Sequence, residues 1–310
     1  MKKPLLLFFI LSFILSQNLI SQDKTDPGKK SIKKSSKEEI DEKEKENKVI
    51  RWNFGINIGG YYASKYPAEF YNGADYNINR VSYVMNNYYW YQDIKRDLGL
   101  GTSDTVFVDG LPGNINYTFA MMGGLFIRYN FNMNWGICLD VNYTQLKAED
   151  AVTFQINPAS YLTPDYILPI PIRGIEERVH IDLMVQRNFR LKSKIYFFLQ
   201  TGLNMKYTRV LESSIYVNEH EYSMINIYGS QVYVPGLSLQ EYTVNQGGVG
   251  YGFMVAGGVG IPLTDMFGIE PGGYFNYNNV KLVGYNQFKP SFGIYLRLLF
   301  GNILPRPDPD

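Results

Sequence analysis

Cysteine is almost missing from this 310-residue chain. Cys138 stands alone, so no disulfide can close within it. Histidine is nearly as scarce: only His180 and His220 are present, which leaves two imidazoles for any acid–base chemistry. Charge of either sign is not in excess. The formal net charge is +1, which gives no electrostatic case for nucleic acid. After the N-terminus no apolar run is long enough for a membrane helix. No glycine-rich loop leads from a strand into a helix, so the phosphate-cradling motifs are lacking too. What the chain does have is tyrosine (26), glycine (29) and an aromatic content of 15%, a mix that favours strands and tight bends over helices.

The N-terminus carries Lys2 and Lys3 ahead of the apolar stretch "PLLLFFILSFIL", the pattern of an export signal. We assign residues 1–22 as a signal peptide, the other reading being an uncleaved anchor helix. Residues 23–49 are almost entirely charged and polar, too poor in apolar surface to build a core. They read as a disordered linker, a solvated spacer or a segment that touches anionic polymers through its basic half.

From Ile50 onward the chain alternates. In "WGICLDVNY", Trp135, Ile137, Leu139, Val141 and Tyr143 form one row and Gly136, Cys138, Asp140 and Asn142 the other. Alternate side chains of a strand point to opposite faces. The same two-row pattern recurs in "RWNFGINIG", "GLFIRYNF", "RVHIDLMVQ", "IYFFLQTGLNMKY", "GYGFMVAGGVGI", "FGIEPGGYFNY" and "SFGIYLRLLF", which makes eight expected strands. Each is long enough to cross a bilayer at a tilt, which takes about 9–11 residues. Short links at 132–134, 190–194 and 262–266 alternate with long ones at 62–116, 146–172, 208–248 and 280–289. An up-and-down transmembrane barrel gathers its short turns at one rim and its long loops at the other.

The apolar row then faces lipid, with Trp and Tyr near the water boundaries. A soluble sandwich alternates with the opposite sense. A lipocalin-like barrel would turn the apolar row inward around a pocket. Against that, Arg51, Arg128, Asp140, Arg178, Asp182, Glu270 and Arg297 share the other face. The expected fold is therefore all-β: an eight-stranded antiparallel up-and-down transmembrane β-barrel over 50–300, with long extracellular loops and a periplasmic tail at 301–310.

The signal peptide, the eight alternating strands and the closing aromatic strand resemble the small outer-membrane protein beta-barrel superfamily. The resemblance places the chain in the bacterial outer membrane, among lipid and lipopolysaccharide. "GIYLRLLF" is similar to the C-terminal insertion signal that such barrels offer to the barrel-assembly machinery, with Gly293, Leu296, Leu298 and Phe300 on the pattern. The extension "GNILPRPDPD" beyond Phe300 departs from members that end on the aromatic. The Asn- and Tyr-rich style and long loops resemble barrels of Bacteroidetes-type bacteria, some of which serve secretion and gliding; no motif carries that likeness.

Eight strands leave an interior just wide enough for side chains to fill. The expected interior network is Arg51, Arg128, Asp140, Arg178, His180, Asp182, Lys206, Glu270 and Arg297, read as a packed polar core or as a narrow ion path. In the first long loop Val81, Val84, Tyr88, Tyr91, Ile94 and Leu98 recur at helical spacing. An amphipathic helix there caps the barrel, lies on the membrane or binds a partner. Tyr88, Tyr89, Trp90 and Tyr91 are the candidate partner-binding side chains. "NEHE" (218–221) lacks the spacing of a known metal site, and Cys138 points inward. No cofactor or metal is expected. The leading function is a non-enzymatic surface or assembly protein whose loops bind an envelope or secretion partner. An enzyme acting on lipid A or peptides is the alternative, and a channel a minor third.

Overall fold

The computed structural model describes residues 52–301, apart from 133, 161, 191–194 and 265. The expected signal peptide (1–22), the charged linker (23–49), Arg51 and all of the tail except Gly301 lie outside the described residues. Among the described residues no helix is long and apolar enough to cross a membrane; that has no bearing on strands.

Ten strands are described: β1 (Trp52–Tyr62), β2 (Thr105–Gly110), β3 (Ala120–Asn130), β4 (Trp135–Asn157), β5 (Tyr166–Arg190), β6 (Tyr196–Val217), β7 (His220–Ser223), β8 (Gly247–Pro262), β9 (Phe267–Asn279) and β10 (Phe288–Phe300). Eight of them close a ring in the order β1–β3–β4–β5–β6–β8–β9–β10 and back to β1, each pair antiparallel. These are the eight expected strands. The two extra strands lie off the ring: β2 pairs with the far end of β4, and β7 with the end of β6.

Closure leaves the ring with no free edge, which a hydrocarbon surround requires because backbone groups there cannot bond to water. The outer face suits that surround. Phe54, Leu125, Leu139, Leu183, Phe253 and Ile294 all stand exposed on it. Aromatic side chains collect at both borders: Trp52, Tyr129 and Trp135 near the short turns, Tyr62, Tyr143 and Tyr207 near the long connections. On β4 the apolar outward row runs from Trp135 to Tyr143, about 27 Å of strand and roughly 20 Å of height once tilted. Leu139 sits at its centre. Leu139→Arg is expected to cost about 2–4 kcal/mol, measured by urea unfolding in lipid vesicles. Gln145→Arg, on the same outward row past Tyr143, should change little.

The largest departure from the sequence reading is at the loop end. The expected long loop 146–172 is mostly strand. β4 continues to Asn157, β5 begins at Tyr166, and only 158–165 connect them. The alternation persists beyond Tyr143 but reverses its sense. Leu146, Ala148, Val152, Phe154 and Ile156 now point inward and are buried, while Gln145, Glu149 and their row neighbours point out. β6 does the same with Val210 and Val217 inward and Arg209 outward. The physical reason is the change of solvent. Below the boundary the outside is lipid and the inside holds polar groups; above it the outside is water and the inside is an ordinary apolar core.

That core is closed by the first long connection. A 3-10 turn (Tyr66–Tyr71) supplies Phe70 and Tyr71, and helices α1 (Val81–Met85) and α2 (Tyr88–Asp97) supply Val81, Val84 and Ile94, all fully buried. The expected single helix is broken at 86–87. Asn87 caps α2, its side-chain oxygen accepting from the backbone N–H of Tyr89 at 3.0 Å and Trp90 at 3.2 Å. An asparagine that serves as an N-cap starts a helix rather than continuing one. The restart changes the phase, so Tyr88 of the expected stripe points to solvent, 66% exposed. Asn87→Ala is expected to cost about 1 kcal/mol of helix stability, read as faster hydrogen exchange at the Tyr89 and Trp90 amides.

Two further sequence features find their reason here. Gly55 lies opposite Phe126 in the β1–β3 ladder, and a Cβ on it would fall 1.9 Å from that ring, so the interior aromatic needs the glycine. Pro169 and Pro171 occur where β5 has risen past its pairing with β6, which begins at Ile172 opposite Ile215. Proline is tolerated on such an edge, and it denies another chain a donor to pair with.

Candidate functional site: a filled interior under an apolar-cored cap

The inward rows of eight strands bring together residues far apart in sequence. At the centre of the turn-end half is Glu270, fully buried. Its carboxylate accepts from Arg128 Nη1 at 2.8 Å, from Arg297 Nη1 at 3.1 Å and from the Tyr196 hydroxyl at 2.6 Å. Arg297 also donates to Asp140 Oδ2 at 2.6 Å and to Asn57 Oδ1 at 3.0 Å. Arg128 donates to Gln186 Oε1 at 3.0 Å. The Cys138 thiol is buried and donates to the same Gln186 oxygen.

Above this lies a relay of amides. Lys206 Nζ donates to Asn278 Oδ1 at 3.1 Å, Asn278 Nδ2 donates to Asn204 Oδ1 at 2.6 Å, and Asn204 Nδ2 donates to Asp182 Oδ1. An ammonium and a carboxylate are thus linked through two asparagines. Lys206 also donates to the Tyr61 hydroxyl at 2.8 Å, and Arg178 reaches the same oxygen at 3.3 Å. At the top Arg178 pairs with Glu176 at 2.5 Å.

Tyr71 is where cap and interior meet: its hydroxyl donates to Glu176 Oε2 at 2.8 Å. Burial, and then the neighbouring Glu176 carboxylate, push the Tyr71 hydroxyl well above the usual phenol range, which keeps the proton that this bond needs.

Of the interior residues expected from sequence, Arg128, Asp140, Arg178, His180, Asp182, Lys206, Glu270 and Arg297 all lie inside the ring, each no more than 2% exposed. Sequence reasoning missed Glu176, which it left just outside the fourth strand. Extending that strand's inward row two residues back from Arg178 would have found it. Among the described residues the set with Glu176 holds four cations (Arg128, Arg178, Lys206, Arg297) and four carboxylates (Asp140, Glu176, Asp182, Glu270), whose formal charges balance. The tyrosine hydroxyls of Tyr61, Tyr71 and Tyr196 were missed as well; they stand on aromatic side chains that alternation alone assigns to packing.

The loop residues divide. Trp90 is stacked on Tyr233, with ring centroids 5.3 Å apart and planes 21° from parallel. The Tyr91 hydroxyl accepts from the backbone N–H of Val106 at 3.1 Å, satisfying a donor of strand β2. Those two are engaged by their own chain, while Tyr88 and Tyr89 remain exposed.

Three connections are tied to one another beneath them. Asn79 and Gln246 exchange two amide hydrogen bonds of 2.7 and 2.8 Å, and Tyr285 donates to Asn77 Oδ1 at 3.0 Å. Asp97 at the end of α2 accepts from the Tyr222 hydroxyl at 2.9 Å and pairs with His220 Nδ1 at 2.9 Å. Burial, and then that carboxylate, raise the Tyr222 hydroxyl above its ordinary value. Within 218–221 the side chains turn to separate tasks: Asn218 donates to the Asp97 carbonyl, and Glu221 accepts from Ser214 at 2.7 Å.

Comparison with solved structures returns small barrels. The chain is similar to Neisserial surface protein A, with 10% identity over 80% of this chain and 96% of that one, at a TM-score of 0.36. It is similar to the outer-membrane protein OprG of Pseudomonas aeruginosa, with 11% identity over 81% and 94% and a TM-score of 0.33. It is also similar to Ail, the attachment invasion locus protein of Yersinia pestis, in complex with the heparin analogue sucrose octasulfate, with 10% identity over 82% and 100% and a TM-score of 0.31. No protein-family model and no curated protein matches the chain. Likeness at this level identifies no ligand and no role.

Proposed function

We propose that the chain is a non-enzymatic barrel of the bacterial outer membrane whose work is done by its water-facing cap, which binds a partner at the cell surface or within an envelope assembly such as secretion or gliding machinery. One observation carries this reading: the interior is filled by paired charges and sealed by a folded apolar core, while the aromatic side chains Tyr88 and Tyr89 stand outward on that cap. A barrel built that way has its free chemistry on its loops. Of the two imidazoles, His180 is 1% exposed inside the ring, and the exposed His220 sets its Nδ1 against Asp97. The outward apolar belt takes lipid and lipopolysaccharide as its surround. Gly293, Leu296, Leu298 and Phe300 of the closing strand are the contact for the barrel-assembly machinery during insertion; Leu296 and Phe300 stand on the outer face.

The test is affinity purification from outer membranes with wild-type protein and the Tyr88→Ala/Tyr89→Ala double variant. Both residues are surface-exposed, so barrel stability should hold within about 0.5 kcal/mol. A protein retained by the wild type should be lost from the variant. Identical sets of retained proteins would remove the aromatic surface from the proposal, and a steady conductance in planar bilayers would remove the sealed interior.

A further inference from the structure

A guanidinium stands in the outward apolar belt. Arg187 lies exposed on the outward row of β5, opposite Trp135 of β4 on one side and Leu199 of β6 on the other. Val185 and Phe189 flank it on the same row of its own strand. All four of these neighbours are exposed, and none carries a counter-charge. Rings hold the head group instead. Its central carbon is 5.2 Å from the centre of the Trp135 ring and 5.1 Å from that of Phe189. Rings attract a cation, but they do not supply strong acceptors for its five N–H donors.

Outward cations at the other end of the same strands are treated differently. Arg209 pairs with Glu177 at 2.7 Å, Arg173 with Glu149 at 2.8 Å and Lys147 with Glu149 at 2.6 Å. Those three lie on the water side of Tyr143, where the chain supplies its own carboxylates. Arg187 lies at the opposite border, level with Trp135.

We propose that Arg187, seated against Trp135 and Phe189, binds the phosphate group of a membrane phospholipid in the leaflet at the turn end. Tryptophan marks the headgroup level of a membrane-spanning protein, so a guanidinium level with Trp135 meets the layer of lipid phosphates. A planar guanidinium matches a phosphate with two parallel N–H···O bonds. Val185, on the membrane-centre side of Arg187, lies where an acyl chain of the same lipid runs. The turn that follows reads "RLKSK" (190–194), three cations and no acid, and such a charge draws anionic headgroups. The turn end faces the periplasm in this reading, so the lipid is a glycerophospholipid rather than lipopolysaccharide.

The test uses the full chain folded in detergent, titrated with phosphatidylglycerol and read by native mass spectrometry. The wild type should bind one phospholipid about tenfold more tightly than Arg187→Leu, the scale of one charge-assisted contact. Leucine suits an outward position in lipid, so this variant should fold. Arg187→Lys, a point charge without the fork, should fall between the two. Arg209→Leu, at the loop end, should bind as the wild type does. Inorganic phosphate in large excess should leave the lipid in place. Equal binding by wild type and Arg187→Leu would overturn the site, and displacement by inorganic phosphate would overturn it in favour of the free ion. The site rests on the lipid-facing belt proposed above, which is checked separately with phospholipids that carry bromine on their chains. Their quenching of tryptophan fluorescence should drop in Trp52→Phe, a residue of the same border outside the site. No such drop would overturn belt and site together; a drop with unchanged lipid binding in Arg187→Leu would overturn the site alone.

Discussion

Replacing Glu270 with alanine is expected to lower barrel stability by about 3–5 kcal/mol, the range for breaking a buried ion pair from one side. The substitution takes the central acceptor from two guanidinium groups at once. Arg297 keeps Asp140, but Arg128 is left with Gln186 as its acceptor, a neutral amide. The penalty therefore comes mostly from a charge left buried without a counter-charge. Three variants separate that cause from lost packing. Glu270→Gln keeps the shape and an acceptor and should cost less. Arg128→Leu in the Glu270→Ala background should recover part of the loss, because it removes the stranded charge. The cycle built from Arg128→Leu, Glu270→Ala and their double variant then isolates the coupling between the two residues. Urea titration followed by tryptophan fluorescence gives each value. A Glu270→Ala midpoint equal to the wild type would mean that solvent reaches Arg128 and that the interior is not filled.

The sequence shows which face each of these residues takes but not which residues meet. Alternation puts Asp140 and Arg297 on the inward row, and that is a property of each strand alone. Their contact, across 157 positions of sequence, depends on the ladder registers that set Arg297 opposite Glu270 and Arg128 opposite Cys138. The ring was legible because its outward row is apolar with few breaks, such as Thr201 on β6 and Arg187 on β5, and its turns are short. The loop end was not, since there the same strands carry the apolar row inward. A reading tuned to apolar-outward strands stops at Tyr143 and takes 146–172 for a loop. The helix break was written in the sequence as Asn86–Asn87, but a stripe of apolar residues at helical spacing hides a cap that lies off the stripe. Trp90 and Tyr91 were read as outward aromatics because their partners, Tyr233 and the Val106 amide, sit on segments whose path no local pattern gives.

The inverted loop end leads to the second large effect. Phe154 lies on the inward row of β4 and is fully buried in the cap core. Phe154→Ala is expected to cost about 3–5 kcal/mol through the cavity it opens. The loss falls on the cap rather than on the ring, whose β3, β8, β9 and β10 neighbours lie below it and hold their own ladders. Regions of one protein open separately when their contacts are separate. Protease cutting within 63–119 and 224–246 should therefore rise, while the resistance of the folded ring to unfolding in detergent is retained. Gln155→Ala, one residue on and facing water, should stay within about 0.5 kcal/mol of the wild type. The reverse result, a silent Phe154→Ala with a damaging Gln155→Ala, would mean that the strand does not change its surroundings above Tyr143. Because Tyr88 and Tyr89 ride on α2, and α2 is seated on this core through Ile94, the Phe154→Ala variant should also lose the partner that the surface tyrosines hold, without touching either of them. A variant with a loosened cap and undiminished partner binding would separate the binding surface from the fold beneath it.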